Sequence, residues 1–222
     1  MTAEFTCVLP YCIIHAIIMY AYILLPLWVP YFTRSNPLKN STASVQQTKH
    51  QRISWEEVII YFEVVSLFTS IPAVSALRLI RDRLRQDANL PQRTNRSVSN
   101  SMRLLEFVLS NSFFTYVGCH YKQVFGCATG SPIRRTSANL VMEEVKETAI
   151  SNFSHPPRWW FRYVDDSHAC QQKQHMQEFH DHATLNMVNP YIQFTIETEE
   201  NTRLSFLDTL TTRRNGRVQV EV

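Results

Sequence analysis

Two adjacent carboxylates, Asp165 and Asp166, stand in the middle of FRYVDDSHAC among aromatic and β-branched residues. Successive side chains of a strand point to opposite faces, so two neighbouring acids share a side only where the chain turns tightly. Two carboxylates at an apolar hairpin tip repel one another and resist losing water, and a divalent cation relieves both costs. A solvated surface turn, where Asp is common, is the other reading of the pair. Glu63 is the third acid, and it is the only charged residue from Val58 to Ile71. A lone carboxylate in an apolar strand is costly unless it is paired, bound to metal, or placed at a strand end that reaches solvent. Brought together, the three acids would cage divalent cations. Two such ions about 4 Å apart, held by shared carboxylates, suit in-line displacement at phosphorus.

Such acids need a sheet to carry them. Val58 to Val65 (VIIYFEVV) is a nearly continuous apolar run rich in β-branched residues, which predicts a strand buried on both faces. Trp159 to Cys170 reads as two short strands meeting at the turn that bears the Asp pair. Ile192, Phe194 and Ile196 alternate as one face of a further strand. Phe113 to Val117, Gly118 and His120 to Phe125 read as a hairpin, and so do Leu204 to Thr212, Asn215-Gly216 and Val218 to Val222, with a primed turn. A helix is predicted over Ala73 to Arg85 after Pro72, with Val74, Leu77, Ile80 and Leu84 at helical spacing. Thr94 to Ser99 is a polar loop, Ser97 to Ser101 a cap region, and Met102 to Leu109 a second helix. Ser131-Pro132 offers a cap and a first-turn proline for a helix running to about Ile150. Lys173 to Met187 reads as one more helix. The predicted fold class is therefore α+β, an antiparallel sheet backed by helices.

Composition bounds the rest. The chain has 222 residues, 45% hydrophobic and 18% charged, which suits a packed core and excludes wholesale disorder. A net charge of +3 permits nucleic-acid binding without arguing for it. Five cysteines at irregular spacing, with no CxxC, fit a reducing compartment better than a disulfide framework. His175, His180 and His182 with Cys170 form an irregular set for zinc, and exposed helix histidines are the simpler reading. No P-loop or Gly-x-Ser-x-Gly occurs. Residues 5 to 32 hold no charged side chain. A membrane anchor, an apolar tail joined to the domain, and a signal peptide all remain open for them, although the Met-Thr-Ala-Glu start tells against the last. The chain thus divides into an apolar segment, 1–35, and a domain over 36–222.

Four stretches occur in order: YFEVVSLFTSIP, GCHYKQVFGCATGSPIRRTSANLVMEE, RYVDDSHAC and IQFTIETEENTRLSFLDTL. They resemble the motifs of a reverse transcriptase of the Penelope-like retroelement type, from about Asn36 to the end. The first is similar to that family's FDVVSLFTSIP, the second to its Gly-Ser-Pro turn opening a helix, and the third to its Tyr-x-Asp-Asp hairpin. The resemblance implies a polymerase palm and RNA-directed DNA polymerase activity by two-metal nucleotidyl transfer. Asp165, Asp166 and Glu63 would ligate two Mg²⁺ (or Mn²⁺) ions. Phe68 would lie beneath the incoming sugar and select deoxynucleotides, although a core aromatic is an equally good reading of it. Gly130 and Ser131 would line the nucleotide pocket at a helix N-terminus. Tyr163 would pack near the primer end. The implied partners are an RNA template, a DNA primer and deoxynucleoside triphosphates, and the implied setting is intracellular, nucleus or cytoplasm. Membrane association would follow only if residues 5 to 32 are an anchor.

Three departures qualify that expectation. Glu63 stands where the family has Asp, and a carboxylate displaced by ~1 Å can cost about a hundredfold in rate. Ile133-Arg134-Arg135-Thr136 replaces a stretch of small residues and proline, and two arginines on the first turn of a helix oppose its dipole. They read as drift, or as phosphate contacts. Fingers are expected before Asn36 and a thumb after Val222, which reads as a truncated copy with impaired activity. Two rivals stand beside the polymerase: an inactive palm-fold remnant with weak nucleic-acid binding, and a membrane-anchored protein of unrelated role.

Overall fold

The apolar run at Val58 forms strand β1 (Glu57–Val64), whose Ile59, Ile60 and Phe62 are completely buried. Glu63 breaks the pattern: it is exposed at the strand's end, so burial on both faces stops at Phe62. The computed structural model describes residues 46–49, 51–127, 131, 133–182 and 185–221. The segment 5–32, with its three readings, lies outside them, as do Gly130 and Pro132. The chain divides into two compact units, one containing Ser66–Glu143 and the other made of Asn36–Val65 with Glu144–Val222.

In the first unit, Ser66 turns the chain out of β1 with φ 52, and a short helical turn, Leu67–Ser70, follows. Helix α1 (Ala73–Gln86) buries Ala76, Ile80 and Leu84, four residues apart and so stacked on one stripe. Val74, expected on that stripe, is 78% exposed because two residues of helix carry it to the side opposite Ala76. Arg78, Arg81 and Arg85 occupy an exposed face at i, i+3 and i+7. Helix α2 (Val98–Ser110) begins earlier than Met102 because Ser97 caps it, its side chain accepting from the Asn100 amide at 3.2 Å. Strands β2 (Phe113–Tyr116) and β3 (Cys119–Lys122) pair about a primed turn in which Val117 and Gly118 have φ 50 and 75. The helix expected from Pro132 starts later, as α3 (Arg134–Asn152), where the Ser131 carbonyl accepts the Arg134 amide.

The second unit is the sheet. Strands β4 (Trp159–Tyr163), β5 (Asp166–Gln172) and β6 (Phe194–Thr198) join β1 in the order β4-β5-β1-β6, with every neighbouring pair antiparallel. Strand β1 is interior to the sheet and buries Ile59 on one face and Ile60 and Phe62 on the other, which is why its sequence is nearly free of polar residues. On one face Ile59 packs with Ile53, Trp159, Cys170, Leu204 and Val218. On the other, Phe62 stacks on Trp160 with ring centroids 5.1 Å apart and also meets Phe179. Truncating a buried aromatic such as Phe62 to Ala costs about 3–5 kcal/mol. A three-stranded sheet, β7 (Arg203–Phe206), β8 (Thr209–Arg214) and β9 (Arg217–Glu221), completes the unit.

Two expected elements are broken. Lys173 to Met187 is not one helix: it divides into Lys173–Gln177, a π-helical turn Glu178–His182, and Leu185–Val188. Leu204 to Thr212 is two strands, because Leu207 adopts φ 53 and the Thr209 hydroxyl donates to the Phe206 carbonyl at 2.7 Å to close a turn. The Asn215-Gly216 turn is primed, with φ 50 and 68. Among the described residues no helix is long and apolar enough to cross a membrane.

Candidate active site

The antiparallel register sets three of the expected site residues on one rung. Glu63 of β1 lies opposite Asp166 of β5, and Asp166 lies opposite Tyr163 of β4. Cross-strand partners share a face, so all three project to the same side, the side of Ile59 and Trp159. The next rung on that face is Phe161, His168, Tyr61 and Glu197. Asp165 occupies the turn itself. Its carbonyl accepts the Val64 amide at 3.1 Å, which ties the turn to the end of β1 beside Glu63.

The turn is strained and braced. Val164 has φ 53, a left-handed conformation that costs a β-branched residue about 1–3 kcal/mol. Arg162, only 4% exposed, donates from Nη1 to the Val164 carbonyl at 2.8 Å and holds the turn from within. Sequence reasoning missed Arg162; a cation inside the apolar strand WWFRY was the available signal.

Tyr61 is the second residue it missed. Two positions before Glu63 on a strand, it shares that acid's face, and strand periodicity alone would have placed it there. Its hydroxyl donates to Asp166 Oδ1 at 2.5 Å, and its ring meets Phe206 edge-on at 6.0 Å. Burial, the bond to Asp166, and the nearby charges of Asp166, Glu63 and Glu197 push the phenol well above its ordinary range, so it stays a donor. Burial raises Asp166 above the usual carboxylate value and Asp165 adds to this, while the Tyr61 bond opposes it. His168 is wholly buried, and burial lowers its pKa to about 4. The indole of Trp159 lies 3.3 Å from His168 Nδ1, which makes Nδ1 the acceptor and puts the proton on Nε2, an atom with no hydrogen-bond partner among the described residues.

These donors suit a hard cation in kind, since carboxylate oxygens are what Mg²⁺ and Mn²⁺ take. In placement they fall short of a cage. Among the described residues no group of three or more His, Cys, Asp or Glu side chains is gathered closely enough to hold a metal ion. The backbone brings Glu63 and Asp166 together, and the Tyr61 hydroxyl donates to one oxygen of Asp166.

The other expected residues belong to the first unit. Phe68 is half-buried. Its carbonyl accepts the Cys127 amide at 2.7 Å, and the Arg134 guanidinium lies 4.2 Å from its ring centre. That contact gives Arg134 a partner worth about 0.5–2 kcal/mol against the unfavourable helix dipole. Gly126, at φ 81, presses on the same segment, and a Cβ there would sit 2.6 Å from the Thr69 carbonyl oxygen. Among the described residues the buried Ser131 hydroxyl has no hydrogen-bond partner. The histidines of the zinc reading have separate duties. His180 Nε2 lies 2.7 Å from the Phe194 carbonyl and its ring stacks on Phe62, whereas Cys170 packs on the opposite face of the sheet. His175 stacks on His155 with centroids 3.9 Å apart. The side chain of His182 lies outside the described residues.

An antiparallel sheet ordered β4-β5-β1-β6, with paired acids at the β4–β5 turn and a lone acid at the end of β1, is palm-like, and the class of fold is reverse-transcriptase-like. No protein-family model and no curated protein matches the sequence. Among solved structures the chain is similar to telomerase from Candida tropicalis in complex with a TWJ fragment of telomeric RNA, with TM-score 0.62 and 10% identity over 90% of this chain. It is also similar to telomerase from Candida albicans with the same kind of RNA fragment, at TM-score 0.60 and 9% identity over 93% of this chain. The apo telomerase from Candida tropicalis gives TM-score 0.60 and 10% identity over 92%. The likeness is one of fold. The chain spans 37% of the first two telomerase chains and 40% of the third.

Proposed function

We propose that this chain is the palm-like part of an RNA-directed DNA polymerase, a reverse transcriptase domain of the Penelope-like retroelement type acting on an RNA template, a DNA primer and deoxynucleoside triphosphates. The observation that carries the reading is the rung Glu63–Asp166–Tyr163 with Asp165 at its tip. Motifs distant in sequence meet there in the order the family resemblance implies. The telomerase neighbours, two of them bound to telomeric RNA, support a nucleic-acid partner and an intracellular, nuclear setting. Charge supports it too: Ser66–Glu143 holds ten Lys and Arg against four Asp and Glu, a net +6.

The family resemblance implies that Glu63, Asp165 and Asp166 hold Mg²⁺ or Mn²⁺ to neutralise phosphate charge, and that role requires side-chain positions other than those described, in which no three such donors gather around an ion. The chain's own residues supply position. Arg162 and the Val64–Asp165 bond fix the turn, and Tyr163 presents an aromatic ring on the same face as the acids. Phe68, its ring covered by Arg134, stands where the family resemblance puts the barrier to a ribose hydroxyl.

The test is primer extension on poly(rA)/oligo(dT) by the full chain with Mg²⁺ or Mn²⁺. Incorporation that Asp165→Asn abolishes, and that Glu63→Asp raises, is the expected result. No incorporation by either the parent or Glu63→Asp would leave the second reading, an inactive palm-fold remnant that binds nucleic acid. The exposed Glu63 and the engaged Asp166 favour that alternative.

A further inference from the structure

We infer that the outer face of the β7–β8 pair holds a binding site for a phosphate group, gripped by Arg203 and Arg214. A cavity of about 470 Å³ opens there, lined by these two arginines with Ser205, Thr212, Asn201 and a single carboxylate, Glu200. Register builds it. Arg203 lies opposite Thr212 and Ser205 opposite Leu210, so these side chains share a face, and Arg214 joins them two residues beyond Thr212. Arg203 and Arg214 are thus diagonal neighbours, about 7–8 Å apart at the backbone, within reach of one oxyanion. The alternate residues of β7 point the other way, where Leu204 packs with Ile59 and Phe206 meets the Tyr61 ring. The cavity therefore lies on the side of this sheet away from the carboxylate rung, and it stands independently of the polymerase reading.

The lining selects an anion. Arg213, between Thr212 and Arg214, is already engaged: it pairs with Glu199 and donates to the Ser54 and Glu57 carbonyls. Among the described residues Arg203 and Arg214 have no carboxylate partner. Arg217, opposite Arg214 across the Asn215-Gly216 turn, extends the positive charge past the edge of the cavity. The unit around it carries eleven Lys and Arg against fourteen Asp and Glu, so this positive face is local. Phosphate suits it better than a planar carboxylate. The Ser205 and Thr212 hydroxyls and the Asn201 amide add donors around the guanidinium forks, and a tetrahedral anion offers oxygens in several directions. The frame is firm. Asn201 and Thr202, at φ 49 and 66, form a turn closed by reciprocal backbone bonds of 2.9 Å between Glu200 and Arg203. The Arg213 amide donates to the Thr202 carbonyl at 2.8 Å, and Thr212 is only 4% exposed, so the floor is a packed strand. Glu200 is the one opposing charge in the lining, and it lowers the affinity.

Calorimetric titration of inorganic phosphate into the full chain, with EDTA present, measures affinity without reference to activity. Arg203→Ala and Arg214→Ala should each weaken binding about tenfold, the loss of one charge-assisted pair. Glu200→Gln should tighten it about threefold by removing the opposing carboxylate. Effects of opposite sign from residues lining one cavity are not produced by loss of fold. A competition arm with oligothymidylate separates two sources of the group. Displacement of phosphate by the oligonucleotide assigns the site to a nucleic-acid backbone, and failure to displace it assigns the site to a free phosphorylated ligand; both support the site. Phosphate that does not bind the parent at millimolar concentration overturns the inference. So does equal affinity in the parent and both arginine variants, with circular dichroism unaltered. Should an arginine variant lose its fold, Glu200→Gln decides alone, and binding no tighter than the parent's sinks the site.

Discussion

The two units of the chain differ in kind. Ser66–Glu143 is largely helical and carries ten Lys and Arg against four Asp and Glu, whereas Asn36–Val65 with Glu144–Val222 is built on strands and carries eleven against fourteen. Net charges of +6 and −3 add to the modest +3 of the whole. Opposite signs set opposite preferences: a basic unit attracts anions and an acidic one attracts cations. An average over the chain conceals both.

The largest expected effect probes how the basic unit is held together. Gly126→Ala places a Cβ against the Thr69 backbone at a residue with φ 81, and should destabilise the protein by about 3 kcal/mol or more in urea unfolding. Gly118→Ala, at φ 75 with open space around it, should cost about 1 kcal/mol by the same measurement. Equal losses at the two sites would mean that the clamp on Thr69 is not what holds that loop.

An intermediate effect belongs to the acidic unit. His168 has a folded pKa of about 4 against 6.5 unfolded, so as pH falls below 6.5 the unfolded chain takes up a proton that the folded chain refuses. Stability is unaffected by this group above pH 6.5, falls between 6.5 and 4, and levels off below. By pH 5 the loss from His168 should reach about 2 kcal/mol. His168→Asn should flatten the urea midpoint against pH over that window, and a parent chain equally stable at pH 7 and pH 5 would remove His168 as an acid-labile point.

The smallest effect concerns the surface. Replacing Arg81 and Arg85 of α1 with Ala should weaken binding to an RNA–DNA hybrid and make the slope of log affinity against log salt shallower by about 2 if both meet phosphates. Glu197→Gln, in the acidic unit, should leave that slope unchanged. A slope insensitive to the arginines but altered by Glu197→Gln would reverse the assignment of the two units.

Much of this was legible in the sequence. The apolar run of β1, the turn between Tyr163 and Asp166, and the primed turn at Asn215-Gly216 follow from local rules of period and turn chemistry, and the structure agrees with each. Glu63 and the Asp pair could be named, but the rung that Glu63 shares with Asp166 depends on register, a pairing between residues about a hundred positions apart. Val74 was misplaced because a helix buries a stripe chosen by its neighbours, and Ala76 lies on that stripe although it is barely hydrophobic. The break after Gln177 gave no Gly or Pro signal. The division of charge lay in plain windows, ten Lys and Arg against four Asp and Glu over 66–143 and eight against eleven over 144–222, and the net charge of the whole chain averages it away.

The left-handed backbone at Val164 makes the acid-bearing tip a collective property. A valine in that conformation is higher in energy than the same residue in an extended strand, so the hairpin alone would relax to another shape. What keeps it bent is Arg162 gripping from inside and β1 gripping Asp165 from the side. RYVDDSHAC is therefore not a portable cassette. Transplanted to a loop without those two restraints, it would bring the right side chains and leave their geometry behind.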